Sequence, residues 1–68
     1  MFFQPKGEAK LHFGPSDYTI MEGGSHVVCA VTGAKIPLPE LRYWNDDRQE
    51  AYADAAAALE GFRRAGAL

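Results

Sequence analysis

Turn-forming residues divide the first two thirds of the chain into short segments, and this spacing limits it to small strands joined by tight turns. The stretches "GPSD" at 14–17 and "EGGS" at 22–25 combine glycine with proline, serine or acidic residues. Glycine accepts positive φ, and proline presets the second position of a type I turn. The segments between them, 8–13, 17–21 and 26–31, alternate in polarity or are β-branched. This pattern predicts three antiparallel strands in a β-meander.

Each predicted strand places its apolar side chains on one face, as a half-buried strand requires. The residues predicted to point inward are Ala9, Leu11, Phe13, Tyr18, Ile20, Val27, Cys29 and Val31. The following segment, "TGAKIPLPEL", contains Gly33, which suits a tight turn. It also contains Pro37 and Pro39, which exclude a central strand or a helix interior. We therefore expect an ordered connection in this segment.

The last third of the chain allows two interpretations. Helix propensity permits one helix from Asp46 to Ala65 with Asn45 as its N-cap. Alternatively, "LRYW" and "QEAY" form a hairpin around the turn "NDDR", and Asp54 caps a shorter helix over 55–65. Both interpretations end the helix in the same way. The residues that favour this end are Arg63 and Arg64 in the last turn, the i,i+4 pair of Glu60 with Arg64, and Gly66.

Length and charge exclude several classes of protein. The 68 residues suit a single domain, 1–68, with a flexible N-terminus at 1–7 and a C-terminal tail at 66–68. A net charge of −2 without a basic cluster predicts no nucleic-acid partner. No apolar run approaches the roughly 20 residues that span a bilayer. The N-terminal residues do not have the pattern of a signal peptide, so we expect a cytoplasmic protein with no membrane partner.

The blocks "CAVTG", "IPL", "ELRYW" and "RQEAY" resemble a family of small bacterial proteins known as domain of unknown function 2093. With "GEAKLHF" before them, the resemblance covers most of residues 7–60. The family implies no activity. Its members tend to carry Ser-Pro at the positions of Asp54 and Ala55, which implies a helix cap at Asp54 and favours the hairpin interpretation.

The predicted order of a knuckle, a hairpin and a helix is also similar to small metal-binding treble clefs of the TRASH and YHS type. The ligand positions that this similarity implies are Cys29, Thr32, Asp54 and Ala58, of which one alone is a cysteine. Structural zinc requires four strong ligands, so the similarity implies a treble clef without its metal. The fold class we predict is α+β, a β-meander, a knuckle-like turn and a β-hairpin followed by one C-terminal helix, in a degenerate treble-clef-like arrangement.

Cys29 is the main candidate for chemistry, because a thiolate is both a nucleophile and a metal ligand. It lies on the predicted apolar face with Val27 and Val31, where a cysteine is usually packed and inert. His26 precedes it by three residues, which places the two side chains on opposite faces of a strand. There are two alternatives to inert packing. One is zinc or heavy-metal binding through Cys29, with His26 as a further ligand, and the other is a redox-sensing thiol at Cys29.

The candidate interaction surface consists of Arg42, Tyr43, Trp44 and Arg48. Tryptophan and arginine often dominate binding hot spots, and alternation along a hairpin would leave one of the two rings facing solvent. The competing interpretation is that the helix covers both rings. We predict a non-enzymatic interaction module that binds a protein partner or forms a homodimer, with no catalytic residue, no cofactor and no resident metal.

Overall fold

A computed structural model describes residues 7–67 and contains six short strands and one helix. The elements are β1 (Lys10–Phe13), β2 (Tyr18–Glu22), β3 (His26–Val28), β4 (Lys35–Pro37), a 3-10 turn at Leu38–Glu40, β5 (Tyr43–Asn45), β6 (Glu50–Tyr52) and α1 (Ala55–Arg64). The strands pair antiparallel as β1–β2, β3–β4 and β5–β6. The predicted α+β class, built from antiparallel hairpins and one C-terminal helix, is confirmed. Within 7–67, no helix is both long and apolar enough to cross a bilayer.

Two of the predicted segments extend beyond this range. Of the N-terminus predicted at 1–7, Gly7 is described and the rest lies outside the described residues. The C-terminal tail predicted at 66–68 is described as far as Ala67.

The predicted three-stranded meander is wrong, because β3 pairs with β4 and does not pair with β2. The start of β3 instead lies beside the start of β1, where the Ala9 N–H donates to the His26 carbonyl at 2.7 Å. Gly24 permits this approach, since a Cβ there would overlap the backbone of Ala9. As a result β2 has no partner strand on its outer edge within residues 7–67, and Ile20, which we expected to be buried, is 53% exposed.

The hairpin interpretation of the last third is correct, and the single-helix interpretation is excluded. β5 and β6 join through a turn at 46–49 in which the Asn45 side chain accepts hydrogen bonds from the backbone N–H groups of Asp47 and Arg48. Asn45 is therefore an Asx-turn residue and not a helix cap. The helix begins instead after Asp54, whose carboxylate accepts from the Ala57 N–H at 2.8 Å.

Helix α1 packs closely on β6 because the residues it buries are small, namely Ala57, Ala58 and Gly61. Tyr52 is fully buried beneath the helix, and a side chain at position 61 would overlap its ring. The helix ends at Arg64, with Gly66 at φ 76° beyond it, as the sequence predicts.

The side chain of Gln49 attaches the first hairpin to the third. Its amide pairs with the backbone of Phe13 as a neighbouring strand would: the Phe13 N–H donates to Oε1 at 2.8 Å, and Nε2 donates to the Phe13 carbonyl at 2.8 Å. Nε2 also donates to the Asp46 carbonyl at 2.7 Å. The Trp44 indole N–H adds a hydrogen bond to the Gly14 carbonyl at 2.9 Å. Two segments 36 residues apart in the chain are thereby held together.

An aromatic cluster reinforces this junction. The Phe13 and Trp44 rings stack with centroids 5.8 Å apart, and Tyr18 meets Trp44 edge to face at 5.6 Å. The cluster continues into a core whose buried apolar members are Ala9, Phe13, Val27, Cys29, Ile36, Leu41, Ala51, Tyr52, Ala57 and Ala58. The inward faces predicted for the first and third strands are confirmed by Ala9, Phe13, Val27 and Cys29.

We expect Gln49→Glu to reduce the free energy of unfolding by about 1–2 kcal/mol, because it removes the donor and leaves a carboxylate facing the Phe13 carbonyl. Urea denaturation monitored by tryptophan fluorescence measures this difference. The control is Arg48→Ala in the same turn, which removes an exposed ion pair with Glu50 and should cost less than about 0.5 kcal/mol. Equal stability of Gln49→Glu and wild type would show that the junction does not depend on this amide.

Candidate functional site

The turn that follows β3 has the form of a knuckle built around Cys29. The Cys29 carbonyl accepts from the Gly33 N–H at 2.9 Å, and Gly33 has φ 76°. The Thr32 N–H points at the Cys29 Sγ with a distance of 3.4 Å. The thiol is 2% exposed, so the prediction that Cys29 is packed on the apolar face is confirmed.

Hydrogen bonds to the sulfur change its acidity. Burial is the largest single influence and raises the pKa of Cys29, but the Thr32 side chain and the backbone N–H groups of Thr32, Ala53 and Val31 together hold that pKa below its ordinary value of 9.0. The knuckle therefore makes the Cys29 thiol more acidic than an ordinary thiol while burying it.

The positions implied by the treble-clef similarity have other roles in this structure. The Thr32 hydroxyl accepts from the Ala34 N–H at 3.2 Å. Asp54 caps the helix, and Ala58 is buried in the core. The His26 ring shares a 2.8 Å hydrogen bond with the Ser25 hydroxyl. Among residues 7–67, no group of three or more histidine, cysteine or acidic side chains is placed to hold a metal ion.

The four residues predicted as an interaction surface are not brought together on one face. Tyr43 and Trp44 lie on opposite faces of β5. Tyr43 is 39% exposed, whereas the Trp44 ring is partly buried in the aromatic cluster. Arg42 is exposed, and Arg48 forms an exposed ion pair with Glu50 at 3.2 Å. The solvent-facing ring is thus Tyr43.

Sequence reasoning missed a groove of about 370 Å³ that lies between β1, β3 and β6. The residues that line it are Glu8, Ala9, Lys10, Leu11, Phe13, Val27, Val28, Ala30, Gln49, Glu50 and Ala51. Its surface is mixed: apolar side chains from β1 and β3 line it together with the polar and charged side chains of Glu8, Lys10, Gln49 and Glu50. No local pattern indicates this groove, because it arises where three strands from separate hairpins diverge.

The backbone of β1 borders the groove. Phe13 turns its N–H and carbonyl away from β2 towards Gln49. The N–H and carbonyl groups of successive residues alternate sides along an antiparallel strand. The N–H and carbonyl of Leu11, two residues before Phe13, therefore also point away from β2. Since Leu11 lines the groove, its N–H and carbonyl provide a donor and an acceptor at the groove wall. The site therefore combines a surface of mixed polarity with one backbone hydrogen-bonding pair.

We expect Thr32→Val to raise the pKa of Cys29, because it removes the hydroxyl that favours the thiolate. Since the folded pKa lies below the unfolded one, wild type gains stability as pH rises towards 9.0 and loses it as pH falls through the folded pKa. Thiolate absorbance measured against pH gives the midpoint of the Cys29 titration. The control is Thr19→Val on the exposed strand β2. Identical midpoints for all three proteins would rule out this role for Thr32.

Comparison with known proteins identifies the family of this chain. A family model described as an uncharacterised protein conserved in bacteria, DUF2093, matches residues 20–61. No curated protein and no solved structure matches the chain. Because the family match extends over more than half of the sequence, the protein belongs to the DUF2093 family.

Proposed function

We propose that this protein is a non-enzymatic interaction module that binds an extended segment of a partner protein in the groove between β1, β3 and β6. The observation that carries the proposal is the Leu11 N–H and carbonyl pair at the wall of a groove with both apolar and polar surface. Extended peptides commonly bind by adding to the edge of a strand, where main-chain hydrogen bonds provide affinity and side-chain pockets provide specificity.

The contact between Gln49 and Phe13 supports this mode of binding. A side-chain amide has the same donor and acceptor as a peptide group. Here the Gln49 amide binds the N–H and the carbonyl of Phe13 on the edge of β1 that faces away from β2. A peptide group of the partner would make the equivalent pair with Leu11, about 7 Å further along the strand. On this edge of β1, Gln49 occupies the backbone groups of Phe13, and the Ala9 N–H is bonded to the His26 carbonyl. Only Leu11 between them is left to pair, so the edge accepts one residue of the partner.

The groove wall favours an apolar side chain next to that residue. Val28 is 37% exposed and Leu11 is half buried, and both line the groove. Covering one such side chain contributes about 1.5–3 kcal/mol and two hydrogen bonds add about 1–3 kcal/mol, which corresponds to weak affinity in roughly the millimolar range.

The charges at the rim influence which segments bind. Glu8, Lys10 and Glu50 line the groove, and Glu50 already accepts hydrogen bonds from Arg48 and Tyr52. The Arg48 guanidinium offsets the Glu50 carboxylate, and Lys10 offsets Glu8, so the charges at the groove sum to zero. We therefore expect segments with an apolar residue and no large net charge to bind best.

A displayed library of random peptides tests the proposal without knowledge of the natural partner. Peptides selected on wild type should bind weakly, with dissociation constants in roughly the millimolar range, and Val28→Glu should weaken their binding at least roughly tenfold by placing a charge on the groove wall. Their binding should shift the amide resonance of Leu11 in NMR spectra. Thr19→Glu, an exposed change on β2, is the matched control and should leave binding unchanged.

A second variant distinguishes the groove from the surface predicted around β5. Tyr43→Ala should not affect the selected peptides, because Tyr43 does not line the groove. If Tyr43→Ala abolished binding and Val28→Glu did not, the interaction surface would be that of Arg42, Tyr43 and Arg48. Failure to enrich any peptide whose binding depends on Val28 would contradict the groove as the site.

A further inference from the structure

Strand β2 has an open edge that carries apolar side chains. Within residues 7–67 it pairs with β1 alone, so its other side faces solvent. Residues 19–22 are all exposed, and Ile20 and Met21 are 53% and 65% accessible. At five residues, β2 is longer than any other strand of the described chain.

The backbone of Ile20 is directed for pairing on this open side. Phe13 and Tyr18 are direct partners, and Phe13 turns its N–H and carbonyl away from β2. Phe13 and Tyr18 therefore form a pair that exchanges no hydrogen bonds, and the Tyr18 N–H and carbonyl also point away from β1. Because these groups alternate sides along the strand, the N–H and carbonyl of Ile20 point the same way. The Tyr18 N–H is occupied by the Asp17 carboxylate at 2.7 Å. The Tyr18 carbonyl and both groups of Ile20 face the open side.

Natural edge strands usually carry lysine, proline or a bulge that prevents pairing with another chain. The segment Tyr18–Glu22 contains no lysine, arginine or proline, and Glu22 is its one charged residue. The register passes from Lys10 opposite Glu22 to Leu11 opposite Ile20, which leaves Met21 as an extra residue in a bulge. This bulge lies beyond Ile20, so it does not interrupt the backbone from Tyr18 to Ile20.

We propose that a second copy of this chain pairs with β2 through an antiparallel, two-fold contact centred on Ile20. In this register Ile20 lies opposite Ile20 of the second copy, and the two residues exchange both backbone hydrogen bonds. Thr19 and Tyr18 then face the bulged segment 21–22 of the second copy, so regular pairing is confined to Ile20. No two like charges face each other, and the exposed apolar side chains of both copies meet at the axis.

The pairing would produce a four-stranded antiparallel sheet with β1 at each outer side. Leu11 and Ile20 are direct partners and share a face, so an apolar row would continue from one copy to the other. Each groove beside β1 would stay open, and the dimer would present two of them. A contact of one short strand per copy buries less than the roughly 1,200–2,000 Å² of standard stable interfaces, so dimerisation should be weak and concentration-dependent.

Sedimentation velocity from about 5 to 500 µM tests the proposal on the full chain. Wild type should change from monomer to dimer over this range, and Ile20→Lys should remain monomeric because lysine on the edge opposes pairing. Leu59→Lys, an equally exposed apolar residue on the helix, is the matched control and should dimerise as wild type does. Thermal melting of both variants shows whether each is folded.

Hydrogen exchange of wild type gives a second measurement that does not depend on a variant. The Ile20 amide should exchange at least roughly tenfold more slowly at high than at low concentration, because pairing engages its N–H. A wild type that is monomeric at about 500 µM, or an exchange rate of Ile20 that does not depend on concentration, overturns the proposal. Loss of dimer in Leu59→Lys as well as in Ile20→Lys would place the contact elsewhere and also overturn it.

Discussion

The pairing of the Gln49 amide with the Phe13 backbone is the contact on which the arrangement of the hairpins depends. A two-stranded hairpin is at best marginally stable alone, so this protein needs contacts between its three hairpins more than within them. Gln49 provides one such contact by acting as a substitute strand at the edge of β1. It holds Phe13 against Trp44 and thereby forms both the aromatic cluster and one end of the groove.

The knuckle at Cys29 makes the corresponding link between the second and third hairpins. The Ala30 N–H donates to the Ala51 carbonyl at 2.9 Å, and Cys29 and Ala51 form a parallel bridge. Hydrogen bonds from the Thr32 backbone to the sulfur and from Gly33 to the Cys29 carbonyl close the turn. Backbone and sulfur hydrogen bonds thus shape this turn, and a buried thiol fills the space between β3 and β6.

The two edges of the first hairpin give the protein two distinct surfaces. On the β1 side, the groove combines the Leu11 backbone pair with a wall of mixed polarity, and we propose that an extended segment of another protein binds there. On the β2 side, Ile20 lies on an unpaired edge, where we propose that a second copy of the chain binds. The surfaces lie on opposite sides of one hairpin, so occupation of one leaves the other accessible. A dimer formed through β2 would carry two grooves, and a partner with two linked segments would gain avidity from both.

Local chemistry allowed the sequence by itself to predict several elements. The Gly66 helix end and, in one of two interpretations, the Asp54 cap and a turn at 45–48, one residue before the observed 46–49, follow from hydrogen bonds and φ values within a few residues. The tertiary structure alone decided that β3 would leave β2 and pair with β4, that Ile20 would be exposed, and that a groove would open beside Leu11. These outcomes depend on long-range contacts such as that of Gln49 with Phe13. An alternating strand pattern shows which face is apolar, but it carries no information about which strand or side chain will occupy each edge.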